Sequence, residues 1–309
     1  MRRRLQSTCA RSARRCGVVC EQAFPVTDFD GDGSRSGRAQ QRPVTADDIC
    51  DLVRRGGPTM VFQPIVDAAD LNVVGYEALS RFPTATACPA EWFDSAAQSG
   101  LSGALEGAAL LSALNEAASF PPGMFLAVNL SPAALTDDPL LAEPLRHAAR
   151  HRRIILEVSE RTHIHEIDTV LTRVNDLRGA GVVIALDDVG AGQSGLRQVI
   201  TVRPEMIKID AFVTHDIDTD PLRAAIAAGT VTLAEQFGMT VVFEGVESDA
   251  ELRTVRRLGA HLLQGYHLGR PAPAAHGTPP CSEHSRRTEA SATLGSADDR
   301  RHCSRVARG

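Results

Sequence analysis

The stretch Val182-Val-Ile-Ala-Leu-Asp-Asp188 is an unbroken apolar run that ends in two adjacent carboxylates. A short apolar run without polar alternation is typical of a parallel strand that is buried on both faces. A short helical stretch follows it, and the next apolar run, Met206-Ile-Lys-Ile-Asp210, again ends in an aspartate. This repeat of strand, polar strand end and helix indicates a parallel sheet whose strands are joined by helices.

The same pattern continues on both sides of this stretch. Further strand-like runs cover residues 124–129, 153–158, 240–244 and 261–264. Helical segments are predicted over 132–146, 167–177, 221–237 and 249–258. The third of these has a typical helix start, because Asp220 is a suitable N-cap before Pro221. Upstream, the runs 60–66 and 73–82 are separated by the short polar turn 67–72, which predicts a hairpin.

These eight strand candidates, the last six of which alternate with helices, predict an α/β fold, a (β/α)8 TIM-type barrel with an irregular hairpin opening. A doubly wound open sheet is the main alternative. The barrel is expected over residues 46–272. A basic segment rich in Gly, Ser and Asp (1–45) precedes it and a biased tail (273–309) follows it, and both are predicted to be flexible.

Composition excludes several classes of protein. A formal net charge of -5 argues against a protein that binds long nucleic acid by neutralising its phosphates. No apolar run reaches the roughly 18 residues of a transmembrane segment, and the Arg-rich N-terminus lacks the hydrophobic part of a secretory signal. Seven cysteines, an odd number, do not form a disulfide framework. We therefore expect a cytoplasmic protein with free thiols.

Nearly every predicted strand has a polar side chain at its C-terminal end. These residues are Glu77, Asn129, Glu157, Asp187 with Asp188, Lys208 with Asp210, Glu244 and Gln264. A parallel barrel brings the C-terminal ends of its strands to one rim, where active sites are built, so these side chains are expected to converge. Converging carboxylates repel one another unless cations neutralise them. A set of oxygen ligands without Cys or a compelling His favours Mg²⁺ or Mn²⁺ over Zn²⁺.

Two features of this set point to phosphodiester chemistry. One carboxylate of the adjacent pair Asp187-Asp188 is suited to bridge two ions about 3.5–4 Å apart, a spacing that activates water and stabilises a leaving oxygen. Lys208 is the single lysine among 33 basic residues. A compact ammonium at the rim is suited to hold a water or a phosphate oxygen.

Taken in order, these segments resemble the EAL family of cyclic di-GMP phosphodiesterases, which is named for the motif present here as Glu77-Ala78-Leu79. The resemblance covers residues from about 46 to 272. The other motifs that carry it are Phe62-Gln-Pro-Ile-Val-Asp67, the ExLxR signature ending at Arg81, Val128-Asn-Leu-Ser-Pro132, Leu156-Glu-Val-Ser-Glu160, Ala185-Leu-Asp-Asp-Val-Gly190, Ile207-Lys-Ile-Asp210, Phe243-Glu-Gly-Val-Glu247 and Leu263-Gln-Gly-Tyr-His-Leu-Gly-Arg-Pro271.

The resemblance implies a barrel whose first strand is antiparallel, and the hydrolysis of cyclic di-GMP to linear pGpG with two Mg²⁺ or Mn²⁺ ions. The implied metal ligands are Glu77, Asn129, Glu157, Asp187, Asp188 and Glu244. The implied catalytic residues are Lys208, which would hold the attacking water, together with Glu244, Gln264 and Glu247. The implied substrate-binding residues are Gln63, Leu79, Arg81 and Asp210. Glu160 matches the glutamate that anchors the loop after Asp188.

The loop from Asp187 to Gly195 departs from the family pattern. Val189 and Gln193 stand where the family usually has aromatic residues, which affects the expected rate and the coupling between subunits; family members often form homodimers. An EAL module that binds cyclic di-GMP or a protein partner with little turnover is the alternative function. An unrelated lyase or enolase-like barrel with Lys208 as its base explains the carboxylates but not the asparagine motif.

Overall fold

The computed structural model describes residues 43–83, 88–131, 134–135, 141–159, 167–189 and 195–274. The expectations for residues 1–42, for Glu160, for Gln193 and for residues 275–309 fall outside these ranges. Among the described helices, none is long and apolar enough to cross a membrane. Among the described residues, Cys50 and Cys88 form no disulfide bond.

Eight strands form a closed barrel in chain order. Their bounds are β1 Thr59–Asp67, β2 Val73–Arg81, β3 Phe125–Asn129, β4 Ile154–Ser159, β5 Val183–Val189, β6 Met206–Ile209, β7 Thr240–Phe243 and β8 Leu262–Leu263. β1 is antiparallel to both of its neighbours, β2 and β8, and the other pairs are parallel. The predicted barrel with an antiparallel first strand is therefore confirmed. The open-sheet alternative is wrong, because β1 pairs with β8 and closes the sheet.

The described helices surround this barrel. Their bounds are α1 Ala46–Arg54, α2 Pro89–Gln98, α3 Ser102–Ala117, α4 Ala142–Ala149, α5 Ile167–Gly179, α6 Gly195–Val202, α7 Ala211–Thr214, α8 Pro221–Gln236 and α9 Asp249–Arg257. The sequence analysis assigns no helix to α1, α2 or α3. Thr45 and Asp48 form a capping box that marks the start of α1. α3 is rich in Ala, Gly and Leu and is buried on several of its faces, so it lacks a clear polar stripe.

One residue that is expected at a strand end lies elsewhere in its strand. Glu77 lies inside β2 rather than at its end. β2 pairs with β3 only as far as Ala78, but it continues beside β1 to Arg81, which pairs with Thr59. The antiparallel hairpin therefore extends beyond the parallel part of the barrel, and this places a mid-strand glutamate at the rim.

An apolar layer fills the barrel interior. Its buried members come from six strands and are Ile65, Phe125, Ala127, Ile155, Ala185, Met206 and Val242. The residues at alternate positions, such as Leu156 and Leu186, belong to separate clusters that pack the barrel against its helices. The alternation follows from the two-residue period of a strand. It sets which side chains face the barrel axis.

We expect Asp220→Ala to destabilise the fold, because losing an N-cap side chain leaves amides at the start of the helix without their acceptor. The Asp220 carboxylate accepts hydrogen bonds from the amides of Leu222 and Arg223, 2.8 and 3.3 Å away, at the start of α8. Chemical denaturation would measure the loss. Asp218→Ala, the same change at an exposed residue nearby, is the control. Equal stability of the two variants would contradict this role of Asp220.

Candidate functional site

The polar side chains of the rim continue the inward-facing register of the apolar layer. On β3, Asn129 follows the interior residue Ala127 by two positions, and on β4, Glu157 follows Ile155 in the same way. The same step leads from Ala185 to Asp187, from Met206 to Lys208 and from Val242 to Glu244. Because alternate residues of a strand share a face, the pattern that fills the core also directs these groups to one rim.

Asp188 departs from this alternation. Adjacent residues of a regular strand point to opposite faces, yet oxygens of Asp187, Asp188 and Glu244 all lie within 4.8 Å of one another. The Asp188 backbone has a φ of 60°, and the pairing of β5 with β6 shifts register between Leu186 and Val189. This left-handed residue in an irregular strand allows two consecutive carboxylates to reach one site. Such backbone conformations cost energy and cluster at functional sites.

Lys208 is at the centre of the site and is 0% exposed. Its ammonium nitrogen lies 2.6 Å from Glu244, 3.0 Å from Glu157, 3.2 Å from Asp187 and 3.5 Å from Glu77. Burial alone would lower the pKa of Lys208, but the four carboxylates outweigh this effect and raise it well above its ordinary value. The ammonium therefore stays charged and holds the carboxylates together.

Side-chain amides orient Glu77. Asn129 donates from Nδ2 to one Glu77 oxygen at 2.8 Å, and Gln264 donates from Nε2 to the other at 2.7 Å. The Gln264 amide also donates to Gln63 at 3.2 Å, and Gln63 donates to the Gly269 carbonyl at 3.3 Å. Because Nδ2 of Asn129 faces Glu77, its Oδ1 is directed elsewhere and remains available as a ligand.

The pKa values divide the carboxylates into two groups. Burial raises the pKa of Glu77, but Lys208 and the hydrogen bonds from Gln264 and Asn129 reverse this and lower it. Burial raises the pKa of Glu157 and of Asp187, and neighbouring carboxylates add to the effect. Burial, followed by the charges of Asp187 and Asp210, raises the pKa of Asp188 to about 7. Lys208 therefore does not neutralise the whole cluster.

The donor set fits a hard divalent cation. Within the described part of the chain, the buried Oε1 atom of Glu157 has no hydrogen-bond partner. Buried polar atoms are normally paired, so this oxygen is suited to accept a cation as its partner. The other groups at the site offer carboxylate and carboxamide oxygens, which are the ligands that Mg²⁺ and Mn²⁺ prefer.

The structure also places the remaining predicted site residues. Asp210 accepts a hydrogen bond from the Phe212 amide at 2.6 Å and lies beside Asp188. Leu79 is half-buried, and Arg81 is exposed at the end of β2. Glu247 is also exposed, and its amide donates to Glu251 at 2.9 Å. Of the predicted residues outside the metal ligands and Lys208, Gln63 and Gln264 belong to the hydrogen-bond network around Glu77, and Asp210 lies beside Asp188.

Glu251 is a residue that the sequence analysis does not single out. Its carboxylate accepts hydrogen bonds from the amides of Glu247, Ser248 and Asp216. It therefore joins the loop after Glu244 to the segment that follows α7. The signal for part of this role is the capping box of Ser248 and Glu251 at the start of α9.

The family model of the EAL domain matches residues 46–271, which is well over half of the chain. This chain belongs to the EAL domain family. The chain is 31% identical over 255 residues to MucR of Pseudomonas aeruginosa, a bifunctional diguanylate cyclase/cyclic di-GMP phosphodiesterase; the match covers 79% of this chain and 37% of MucR. It is 29% identical over 237 residues to PdeN of Escherichia coli, a probable cyclic di-GMP phosphodiesterase, covering 73% of this chain and 46% of PdeN. This chain spans less than half the length of these curated relatives.

Solved EAL structures have the same architecture. BlrP1 of Klebsiella pneumoniae, in complex with calcium and cyclic di-GMP, superposes on this chain with a TM-score of 0.63 at 33% identity. The superposed region covers 70% of this chain and 56% of BlrP1. The PaMucR phosphodiesterase, in complex with cyclic di-GMP, superposes with a TM-score of 0.64 at 29% identity; it covers 74% of this chain and 97% of that chain. BlrP1 is also known as a manganese and cyclic di-GMP complex.

We expect Lys208→Met to destabilise the metal-free EAL domain by about 3 kcal/mol or more, because removing one partner of a buried ion pair leaves uncompensated charge. Added Mn²⁺ should restore stability, with a larger rise in the unfolding midpoint than in the unaltered chain. Thermal unfolding in EDTA and in Mn²⁺ would measure both effects.

Arg178→Met is the control for this experiment. It also removes a cation, one that contacts Glu205 at 2.7 Å near the N-terminal end of β6. Its effect on stability should not depend on Mn²⁺. A Lys208→Met protein as stable in EDTA as the unaltered chain would contradict the central role of Lys208.

Proposed function

We propose that this EAL domain hydrolyses cyclic di-GMP to linear pGpG in the cytoplasm. The observation that carries the proposal is the buried cluster of carboxylates around Lys208 at one rim of the barrel. The relatives support the substrate, because MucR and PdeN are named for cyclic di-GMP hydrolysis and BlrP1 and PaMucR bind the dinucleotide. The lyase alternative is not supported by these relatives.

The charge of the site supports two divalent ions, Mg²⁺ or Mn²⁺. Five carboxylates with one ammonium leave four formal negative charges, which two divalent cations would balance. The residues that would hold them are Glu77, Asn129, Glu157, Asp187, Asp188 and Glu244. Bound there, the ions would supply Lewis acidity that activates water and stabilises the leaving oxygen of a phosphodiester. The BlrP1 complexes with manganese or calcium support a divalent ion at such a site.

The protein's own groups would position the reactants. The Lys208 ammonium lies 2.6 Å from Glu244 and 3.2 Å from Asp187 and can donate a hydrogen bond to the attacking water. The carboxylates of Glu244 and Asp187 can accept hydrogen bonds from the same water. The water oxygen then bonds to phosphorus and gives a proton to one of these carboxylates, one P–O3′ bond breaks, and the released 3′ oxygen takes up that proton. Gln264 would keep Glu77 in place during this step.

The residues around this centre would bind the dinucleotide. Arg81 is exposed at the end of β2 and would pair with a phosphate oxygen of the dinucleotide. The other residues assigned to the substrate side are Gln63, Leu79 and Asp210, and Glu247 is assigned a supporting catalytic role. Val189, which stands where the family usually has an aromatic residue, is buried in the apolar cluster between the barrel and its helices.

We expect the purified chain to convert cyclic di-GMP to pGpG with Mg²⁺ or Mn²⁺ and to be inhibited by Ca²⁺. Glu77→Ala should abolish turnover, because it removes a buried carboxylate that accepts from both Asn129 and Gln264. Glu235→Ala, the same change at an exposed residue of α8, should leave turnover intact. Nucleotide chromatography would follow the product. Binding of cyclic di-GMP without turnover under either activating metal would instead support the binding-module alternative.

An exposed apolar face also supports the expected homodimer. It is formed by Leu196 and Ile200 of α6, Phe212 of α7, and Leu222 and Ile226 of α8, which are exposed large apolar side chains. The pairs on α6 and α8 each lie one helical turn apart on helices that follow the neighbouring strands β5 and β6. Exposed apolar patches mark association sites, and a twofold dimer would place the same face of two subunits together.

Light scattering after size exclusion should give the mass of a dimer for the unaltered chain and of a monomer for Ile200→Asp, since a charge in this apolar face opposes its burial. Phe237→Asp is the matched control, because Phe237 is as exposed as Ile200 but lies just past the other end of α8. A monomeric unaltered chain at micromolar concentration would contradict the dimer.

A further inference from the structure

Glu106 is a buried carboxylate of α3 that belongs to none of the groups described above, and only 5% of its surface is exposed. Its two oxygens accept hydrogen bonds from the backbone amide of Ser131 at 2.6 Å and from the Ser131 hydroxyl at 2.7 Å. The Ser131 hydroxyl in turn accepts from the amide of Ala134 at 3.0 Å. An ionised acceptor makes such bonds about twice as strong as neutral ones.

This contact lies two residues after Asn129, the last residue of β3. On the β4 side, the backbone beyond Asn129 is held by a longer hydrogen bond, 3.4 Å from the Leu130 amide to the Glu157 carbonyl. The paired bonds to Glu106 are therefore the stronger anchor of the chain where it leaves β3. Asn129 needs that anchor, because its side chain reaches across to Glu77 from a strand end.

A second close contact joins α3 to the chain that follows β3. Gly107, the neighbour of Glu106, packs against Leu141 just before α4; a Cβ atom added at Gly107 would lie 2.7 Å from the Leu141 side chain. α3 thus contacts this connection both near its beginning, at Ser131, and near its end, at Leu141. α3 therefore supports the described residues at both ends of this connection.

We infer that Glu106 is a positioning residue for the metal site, acting through Ser131 on Asn129. The inference rests on the proposed function for the identity of the ligands, but its direct consequence is cation affinity rather than chemistry. A loosened β3 end would displace the Asn129 oxygen and weaken the hydrogen bond from Asn129 to Glu77, while leaving the contacts of Lys208 with Glu157, Asp187 and Glu244 in place. Residues that support metal ligands typically change affinity by about 10- to 100-fold.

The test makes two measurements on the full chain of each variant. Mn²⁺ affinity is measured from the electron paramagnetic resonance signal of free Mn²⁺, and stability is measured by thermal unfolding in EDTA. Glu106→Gln should weaken Mn²⁺ binding about tenfold, at the lower end of that range because Glu106 acts one step removed from the ligand. At saturating Mn²⁺, kcat should stay within about twofold of the unaltered chain, because the groups that act on water are intact.

Glu205→Gln is the matched control. Glu205 also caps a backbone amide, that of Ile184 at 2.9 Å, but it lies at the opposite end of the barrel beside Arg178. Both changes should lower the unfolding midpoint, and only Glu106→Gln should change Mn²⁺ affinity. Equal Mn²⁺ affinity in the unaltered chain and in Glu106→Gln would overturn the inference and leave Glu106 a purely structural residue.

A double-variant comparison tests the route through Asn129. If Glu106 acts through Asn129, Glu106→Gln should add no further loss of Mn²⁺ affinity in an Asn129→Ala background. An additive loss would overturn that route. Should Glu106→Gln fail to fold, Ser131→Ala removes only the hydroxyl contact and should still weaken Mn²⁺ binding about twofold to threefold; unchanged affinity there would also overturn the inference.

The outcomes separate this inference from the proposed reaction. If the unaltered chain binds Mn²⁺ without hydrolysing cyclic di-GMP, the reaction is contradicted, and the comparison of Mn²⁺ affinities still decides the role of Glu106. If the unaltered chain binds no Mn²⁺, the role of Glu106 in metal binding is overturned together with the metal site.

Discussion

The buried contact between the Lys208 ammonium and four carboxylates is the interaction on which the rest of the site depends. Neither an isolated ammonium nor an isolated carboxylate is stable in the interior of a protein, because each loses its hydration. Here the charges come from β2, β4, β5, β6 and the residue after β7, and their separations are 2.6–3.5 Å. Only a closed barrel of correct register brings five such positions to one point, so the fold and the charge cluster require each other.

The two-residue period of the strands explains how one sequence pattern produces both core and site. Below the rim, the inward positions carry residues such as Ala127 and Ile155, and the next inward positions carry Asn129 and Glu157. A register slip of one residue would turn the polar side chains of the rim towards the helices. The apolar side chains that now pack against the helices would then face the barrel axis. Asp188 is the exception, and its left-handed backbone is the local adjustment that adds a further carboxylate.

This period also explains what the sequence was able to predict. Apolar runs with polar ends were sufficient for the barrel and for the convergence of residues such as Asp187, Lys208 and Glu244, because strand ends meet at one rim. The arrival of a mid-strand residue, Glu77, at the rim was not predictable, since it depends on how far the hairpin extends beyond β3. Contacts between distant segments, such as Glu106 with Ser131, leave no local pattern at all.

The two groups of carboxylates show how the protein divides the charge of the site. The negative charge of Glu77 is balanced by Lys208 and by hydrogen bonds from Gln264 and Asn129, and these groups lower the pKa of Glu77. Burial and neighbouring carboxylates raise the pKa values of Glu157 and Asp187, and they raise that of Asp188 to about 7, so each group holds a proton to a higher pH than it ordinarily would. Cation binding at such groups releases those protons. The protein's own groups therefore fix Glu77, whereas a bound cation would balance the charge of the other carboxylates.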